Sequence, residues 1–151
     1  MLPTASPVGY PAEKRSVLER LMRKALKADD RILFSKLFFD GSFDKGLSKE
    51  AAAEGDLGVF AEALEMVRLA PSAVNRQPWR VVREGTNYHF YLKHDKGYVS
   101  SATGDLQKVD MGIAMCHFAR GMEGRVRLVI ADPSLSAPED TAYIATLVLE
   151  S

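Results

Sequence analysis

A polar segment bracketed by prolines, residues 70–80, separates a helical part of this chain from a strand-forming part. Before it, apolar residues recur at helical spacing over residues 57–69, and the residue preceding Pro71 is pushed out of the helical region. After it, two runs at 80–83 and 88–92 are typical of paired strands. The chain must therefore leave a helix and enter a sheet within this segment.

The remaining pattern predicts three helices and four strands, at helical residues 12–28, 57–69 and 106–120 and at strand residues 80–83, 88–92, 126–131 and 143–149. Helix and strand compete over the short apolar run 31–39, where we favour a short helix capped by Asp29 or Asp30. The lack of apolar periodicity in residues 40–58 predicts a long loop with a helical turn at 49–53. Interspersed helices and strands of this kind predict an α+β fold, with helices on a mainly antiparallel sheet.

Each predicted helix has one apolar stripe that we expect to face the core. The stripes are Leu18, Leu21, Met22, Ala25 and Leu26 in the first helix, Leu57, Phe60, Ala61, Leu64 and Val67 in the second, and Leu106, Val109, Ile113, Cys116 and His117 in the third. Gly121 is the expected stop of the third helix.

Composition narrows the class of protein. A length of 151 residues suits a single domain, residues 1–151. The formal net charge of +0 argues against a nucleic-acid binder. The longest apolar stretches are too short for a membrane helix, and the first residues do not have the pattern of a signal peptide, so we expect a cytoplasmic protein without a membrane partner.

Nucleophilic and metal chemistry find little support in the sequence. Cys116 is the single cysteine, which excludes an internal disulfide and a multi-cysteine zinc site, and we expect it in the core. Cys116 and His117 are adjacent on a helix and cannot face one substrate together. His89 and His94 do not have a metal-ligand spacing, so no metal is predicted.

The segment 70–80 itself has two interpretations. Ser72, Asn75 and Gln77 are short polar arms between rigid elements, and such arms can hold a planar polar ligand. Alternatively, the segment is a structural connector in which Ser72 caps a turn and Trp79 packs in the core. Spacing alone does not decide between them.

The string APSAVNRQPWRVV closely resembles the Pro-Ser-x-x-Asn-x-Gln-Pro-Trp motif of the flavin-dependent nitroreductase family. The helical stretch VDMGIAMCHFA is similar to the Asp-x-Gly helix of that family. The resemblance extends over roughly residues 8–120, and it is to a branch in which a longer chain contains two related halves. The order of the pieces leads us to expect a nitroreductase-like domain that is incomplete at its N-terminus, corresponding to the C-terminal part of such a chain.

The resemblance implies an FMN-dependent oxidoreductase that takes hydride from NADH or NADPH and reduces nitroaromatic or quinone-type acceptors by a ping-pong mechanism. It implies a homodimer or paired half-domain, with FMN at the interface. Carried over, Pro71, Ser72, Ala73 and Asn75 correspond to the FMN-contacting loop, and Arg31 keeps one position of a Lys-x-Arg pair aimed at the phosphate. On this hypothesis the Asn75 amide would meet the polar edge of the flavin. Because the cofactor carries the redox chemistry, no catalytic side chain is assigned.

Two departures from the family motivate an alternative. We find no counterpart of the family's Arg-x-Ser-x-Arg segment, and Asp29 occupies the Lys position of the Lys-x-Arg pair. A negative charge there opposes phosphate binding. The alternative is a non-catalytic binding or assembly module that keeps the interface face of the fold and has lost flavin binding.

Overall fold

The computed structural model describes residue 10 and residues 16–54, 58–95, 97, 99–100 and 104–150. Within these residues the helices are α1 (Val17–Ala25), α2 (Phe34–Leu37), α3 (Lys49–Ala53), α4 (Gly58–Leu69) and α5 (Gln107–Gly121). The strands are β1 (Phe38–Asp40), β2 (Trp79–Glu84), β3 (Asn87–Lys93), β4 (Val99–Ser100), β5 (Gly104–Asp105), β6 (Val126–Val129) and β7 (Thr141–Leu149).

Five of the strands form one sheet in the order β1-β2-β3-β7-β6. Strand β1 runs parallel to β2, and the other neighbours are antiparallel. Strands β2 and β3 form a hairpin with Gly85 and Thr86 at its turn, where Gly85 has φ +59°. Strands β4 and β5 pair separately. The predicted α+β fold with a mainly antiparallel sheet is therefore confirmed.

Helices α4 and α5 pack against one face of this sheet, and aromatic rings fill the contact. The ring of Tyr88 lies 5.1 Å from that of Phe60 in α4 and 4.7 Å from that of Phe118 in α5. Trp79 is fully buried in the same core. Alternation along the strands places Trp79 and Val81 toward the helices and Arg80 on the opposite face.

Helix α1 begins later than predicted and leaves its apolar stripe exposed. Ser16 is the N-cap, its hydroxyl accepting from the N–H of Glu19 at 3.1 Å, and residues 12–15 of the predicted helix lie outside the described residues. The helix ends before Lys27, whose φ of +48° is left-handed. No residue of α1 is buried, and Leu18 and Leu21 are about two-thirds exposed, at 67% and 64%.

Residues 31–39 contain both of the competing elements: the helix α2 followed by the strand β1. The predicted cap at Asp29 or Asp30 is wrong, because Leu33 precedes the helix and makes no side-chain hydrogen bond to it. The helical turn predicted at 49–53 is confirmed as α3, with the Ser48 hydroxyl accepting from the Ala51 N–H at 3.0 Å.

The buried stripe of α4 agrees with its prediction at Phe60, Ala61, Leu64 and Val67, while Leu57 lies outside the described residues. The existence and bounds of α5 agree with the prediction, but its predicted core-facing stripe is wrong. Its buried residues are Gln107, Asp110, Met111, Ala114 and Phe118, whereas Leu106, Val109 and Cys116 are exposed. Helix α5 ends at Gly121 as predicted, with this glycine as its last residue and Met122 as its C-cap, and Gly121 lies against Ala63 of α4.

None of the helices that the structure describes combines the length and the apolar character that crossing a bilayer requires.

Candidate functional site

Four of the five candidate residues line a single cleft of about 600 Å³ between α1 and the segment 70–80. We call the segment the motif segment and the cleft the motif cleft. Arg31, Pro71, Ser72 and Asn75 line it, and α1 supplies most of the opposite wall. Ala73, the fifth candidate, is not among the lining residues. The structure thus brings together residues that are about 40 positions apart in the chain.

The motif segment has an unusual backbone. Val74, Asn75 and Gln77 have φ values of +52°, +55° and +50°, in the left-handed region. This region is unfavourable for a β-branched residue such as Val74 and persists only where surrounding contacts impose it. The segment must therefore be held by strong contacts with the rest of the chain.

The side chain of Asn75 supplies several of those contacts. Its Nδ2 donates to the carbonyl oxygens of Lys27 at 2.6 Å and Asp30 at 2.9 Å. Its Oδ1 accepts from Arg31 Nη1 and from Gln77 Nε2, both at 3.2 Å. The amide of Asn75 is therefore used within the chain, and it fixes the motif segment to residues 27–31.

Gln77 makes a second connection to the same region and is itself buried. Its Oε1 accepts from the N–H of Ile32 at 3.0 Å, and its Nε2 donates to the carbonyl of Asp30 at 3.3 Å. Ser72 Oγ accepts from the N–H of Gln77 at 2.8 Å. Trp79 thus has the core position considered for it, whereas the Ser72 side chain makes no capping hydrogen bond to the turn at 73–75 and accepts from Gln77 instead. Ser72 also lines the cleft.

Ala73 is held from the other side by Asp110 of α5, the acidic residue of the Asp-x-Gly pattern. The Ala73 N–H donates to Asp110 Oδ1 at 3.0 Å. Asp110 is 4% exposed, and its Oδ2 has no hydrogen-bond partner among the described residues. Burial raises the pKa of Asp110, and the Ala73 N–H opposes that shift in part. Asp110 therefore positions the motif segment, although the sequence pattern alone did not give it this contact.

Arg31 carries a positive charge to the edge of the motif cleft. Its Nη1 donates to the carbonyls of Ala28 at 3.0 Å and Asp30 at 2.9 Å, and its Nη2 donates to that of Leu69 at 3.3 Å. Its Nε is buried and has no acceptor among the described residues. None of the partners is a carboxylate, so the described part of the chain gives this guanidinium no ion pair.

A second, more polar cleft of about 360 Å³ adjoins the first at the C-terminal end of α1. Its lining includes four basic residues, Arg20, Arg23, Lys24 and Lys27, together with Ala28, Asp29 and Asp30. Asp29 forms an ion pair with Arg23. The charge of Arg23 therefore offsets the negative charge of Asp29 at the position of the expected lysine. The sequence signal for this cleft is the run of basic residues between Arg20 and Lys27.

Metal ligation finds no support among the described residues, where no three His, Cys, Asp or Glu side chains are grouped to hold an ion. The ring of His89 is engaged instead, with Nδ1 2.7 Å from Thr146 Oγ1 and Nε2 3.1 Å from Glu84 Oε2. Cys116 is exposed on α5, contrary to the expected core position, because the buried face of that helix is turned away from it.

Comparison with known families matches residues 42–122 to the model described as "Putative TM nitroreductase". The match covers more than half of the 151 residues and includes the motif segment and Asp110, though not Arg31. The chain belongs to this nitroreductase family.

One solved structure found is that of a protein from Thermotoga maritima described as a putative nitroreductase, with 26% sequence identity and a TM-score of 0.45. The similarity covers 81% of this chain and 43% of the other, so this chain spans less than half of that protein's length. Comparison with curated proteins gave no significant match.

Proposed function

We propose that this chain is an FMN-binding unit of an oxidoreductase that passes electrons from NAD(P)H to a small nitroaromatic or quinone-type acceptor. The observation that carries the proposal is the motif cleft, where Arg31, Pro71, Ser72 and Asn75 meet across about 600 Å³. Sites for cofactors and other small molecules typically occupy about 300–1,000 Å³. Bound FMN would supply the hydride chemistry, so the chain need only hold and shield it.

The walls of the motif cleft suit a molecule with one apolar surface and an anionic tail. Leu18 and Met22 of α1 and Leu26 directly after it contribute apolar side chains, and Val74 faces them from the motif segment. Such a wall favours a planar aromatic ring because contact with it removes apolar surface from water. The apolar stripe of α1, which does not pack in the core, would therefore contact the ring of the bound cofactor.

Polar groups at the margin of the cleft suit the remainder of FMN. The Ser72 hydroxyl accepts a hydrogen bond from Gln77 and has no acceptor for its own hydrogen within the described residues, so it can donate to a ligand. Arg31 offers a guanidinium that has no carboxylate partner among the described residues. The neighbouring basic residues of α1 add positive charge and would partly replace the family's missing Arg-x-Ser-x-Arg segment.

The alternative of a flavin-free binding or assembly module is favoured by one observation. The four side-chain hydrogen bonds described above for Asn75, the residue expected at the flavin edge, are all to groups of this chain. A motif segment that only stabilises the fold would have this arrangement. Under either hypothesis, pairing with a second copy or a related half-domain stays a prediction. The single-domain organisation of residues 1–151 and the cytoplasmic location also stay predictions.

Flavin binding by the purified chain separates the two hypotheses. We expect saturable quenching of FMN fluorescence, and NAD(P)H oxidation with a nitroaromatic or quinone acceptor that depends on added FMN. Arg31→Gln should weaken FMN binding about tenfold or more, because it removes a charge-assisted contact to the phosphate. The matched control is Arg125→Gln, an exposed arginine that lines neither cleft.

Equal FMN affinity in both variants would remove Arg31 from the site. Absence of saturable FMN binding to the folded chain would contradict the proposed function and favour the module.

A further inference from the structure

A separate small cleft lies on the sheet face opposite α4 and α5, and its volume is about 100 Å³. It is lined by Phe39, Phe43, Arg80, Lys93, Pro138, Asp140 and Thr141. We call it the Arg80 cleft. Among the residues that the structure describes, it shares no lining residue with the motif cleft, so a ligand in the Arg80 cleft would not depend on the proposed function.

Arg80 is partly buried there without a matching negative charge. Only Nη1 of its guanidinium is engaged, donating to the carbonyls of Gln77 at 3.1 Å and Trp79 at 2.6 Å. An arginine has five N–H donors, so those on Nε and Nη2 remain without an acceptor within the described residues. Burial lowers the pKa of Arg80, against the opposing charges of Asp140 and Asp95.

The nearest carboxylate of the lining is already used by another residue. Asp140 Oδ2 lies 3.6 Å from Lys93 Nζ, and no described carboxylate lies within ion-pair distance of Arg80. Nε and Nη2 of Arg80 are not fully buried, so a ligand can reach them, and an anion is the natural acceptor for their free N–H groups.

Aromatic side chains give the same cleft an apolar wall. The ring of Phe43 lies 5.3 Å from that of Phe39 and 5.0 Å from that of Tyr91, which is buried in the sheet. Phe43 is therefore held in place by two ring contacts. A ligand entering the cleft meets a cationic donor on one side and an aromatic surface on the other.

We propose that the Arg80 cleft binds the carboxylate of a small organic acid. The free Nε and Nη2 groups of Arg80 form the planar fork that pairs with both oxygens of a carboxylate. The negative charge of Asp140 in the wall disfavours a doubly charged phosphate, and the small volume limits the apolar part to about one ring against Phe39 and Phe43.

Titration of the full chain with benzoate, acetate and inorganic phosphate tests this proposal. We expect saturable benzoate binding with a Kd of about 1 mM, weaker acetate binding and still weaker phosphate binding. Arg80→Met should reduce benzoate affinity about tenfold or more. Arg127→Met, an exposed arginine on the edge strand β6, is the matched control and should leave the affinity unchanged.

A second variant keeps the test decisive if Arg80→Met does not fold. Asp140→Asn removes the acidic residue found among the described lining residues and should tighten benzoate binding about threefold or more. Three results would overturn the proposal: no saturable benzoate binding, phosphate binding tighter than benzoate, or unchanged benzoate affinity in folded Arg80→Met or Asp140→Asn.

Discussion

The amide of Asn75 binds four groups of the chain, which makes it a stabilising residue whatever else it does. Asn75→Ala leaves the carbonyls of Lys27 and Asp30 without that donor, and we expect a loss of about 1–3 kcal/mol in the free energy of unfolding. For a chain of this length, each kcal/mol lowers the Tm by about 2–4 °C. Asn75→Asp should cost more, because it places a negative charge against the same two carbonyl oxygens. Thermal and urea unfolding measure both effects.

The flavin hypothesis makes a different prediction for the same Asn75→Ala variant. If Asn75 also met the flavin, the FMN dissociation constant per folded molecule would rise about fivefold or more. The structure leads us to expect an unchanged constant and a lower Tm. An unchanged Tm with weaker FMN binding would contradict the structural role.

Asp110 should make stability depend on pH. Its pKa is raised in the folded chain, so the folded state binds more proton than the unfolded state between the unfolded and folded pKa values. Stability contributed by this group is present at low pH and is lost as the pH rises from about 4 through the folded pKa. Asp110→Asn removes this titration but can still accept from the Ala73 N–H.

The measurement is the free energy of urea unfolding of wild type and Asp110→Asn over the range from pH 4 to neutral. We expect any disadvantage of the variant to shrink as the pH rises, because only the wild type must then bury a carboxylate. A constant difference between the two proteins across this range would show that Asp110 does not titrate as described.

The candidate site was predictable to the extent that its residues are close in sequence. Pro71, Ser72 and Asn75 share one motif, and their position between a helix and a strand follows from the two prolines. The contact of Asp110 with Ala73 spans 37 residues. Whether a basic helix surface faces water or a cleft depends on what packs beside it, so the basic residues beside the motif cleft could not be assigned from sequence.

At the scale of elements, α4 and α5 approach each other closely where Gly121 meets Ala63. A Cβ added at Gly121 would lie 2.7 Å from Ala63 Cα and 2.9 Å from Ala63 Cβ, so backbone atoms would have to move. We expect Gly121→Ala to destabilise the fold by about 1–3 kcal/mol, as overpacking does. Gly112→Ala on the same helix meets nothing within 4 Å and should be neutral or stabilising by up to about 1 kcal/mol.

Urea unfolding of the two alanine variants compares them directly. If Gly121→Ala were as stable as Gly112→Ala, the close approach of the two helices would be disproved.

The local sequence pattern predicted the positions of helices and strands more reliably than it predicted which face of each helix is buried. Helix α5 has two apolar stripes of similar period, and the one containing Met111 and Phe118 packs on the sheet. Periodicity detects a helix but cannot rank two such stripes, because the choice depends on the partner surface. Helix and strand could not be separated over residues 31–39 for a related reason: the partner of β1, β2, begins some 40 residues later.

At the scale of the whole molecule, α1 stands apart from the core. None of its residues is buried, whereas five residues of α5 are. We expect the backbone amides of α1 to exchange with deuterium at least about tenfold faster than those of α5, because local opening of α1 exposes little apolar surface. Hydrogen exchange followed by mass spectrometry measures this difference.

Adding FMN to the same exchange experiment tests the motif cleft. Bound ligand should slow exchange in α1 and the motif segment more than in α5, since α1 forms one wall of the cleft. Protection confined to α5 would place the ligand elsewhere.

The hydrogen bonds of Asn75 to Lys27, Asp30 and Arg31 also bear on the order in which the chain assembles. They join positions 44–48 residues apart, whereas the hairpin of β2 and β3 closes over a few residues. Distant contacts pay a larger chain-closure entropy, so they are expected to form after the hairpin. Asn75→Ala should then accelerate unfolding and leave the refolding rate nearly unchanged in stopped-flow experiments. The motif cleft would be the first part to open, so an occupant would lengthen the lifetime of the folded chain.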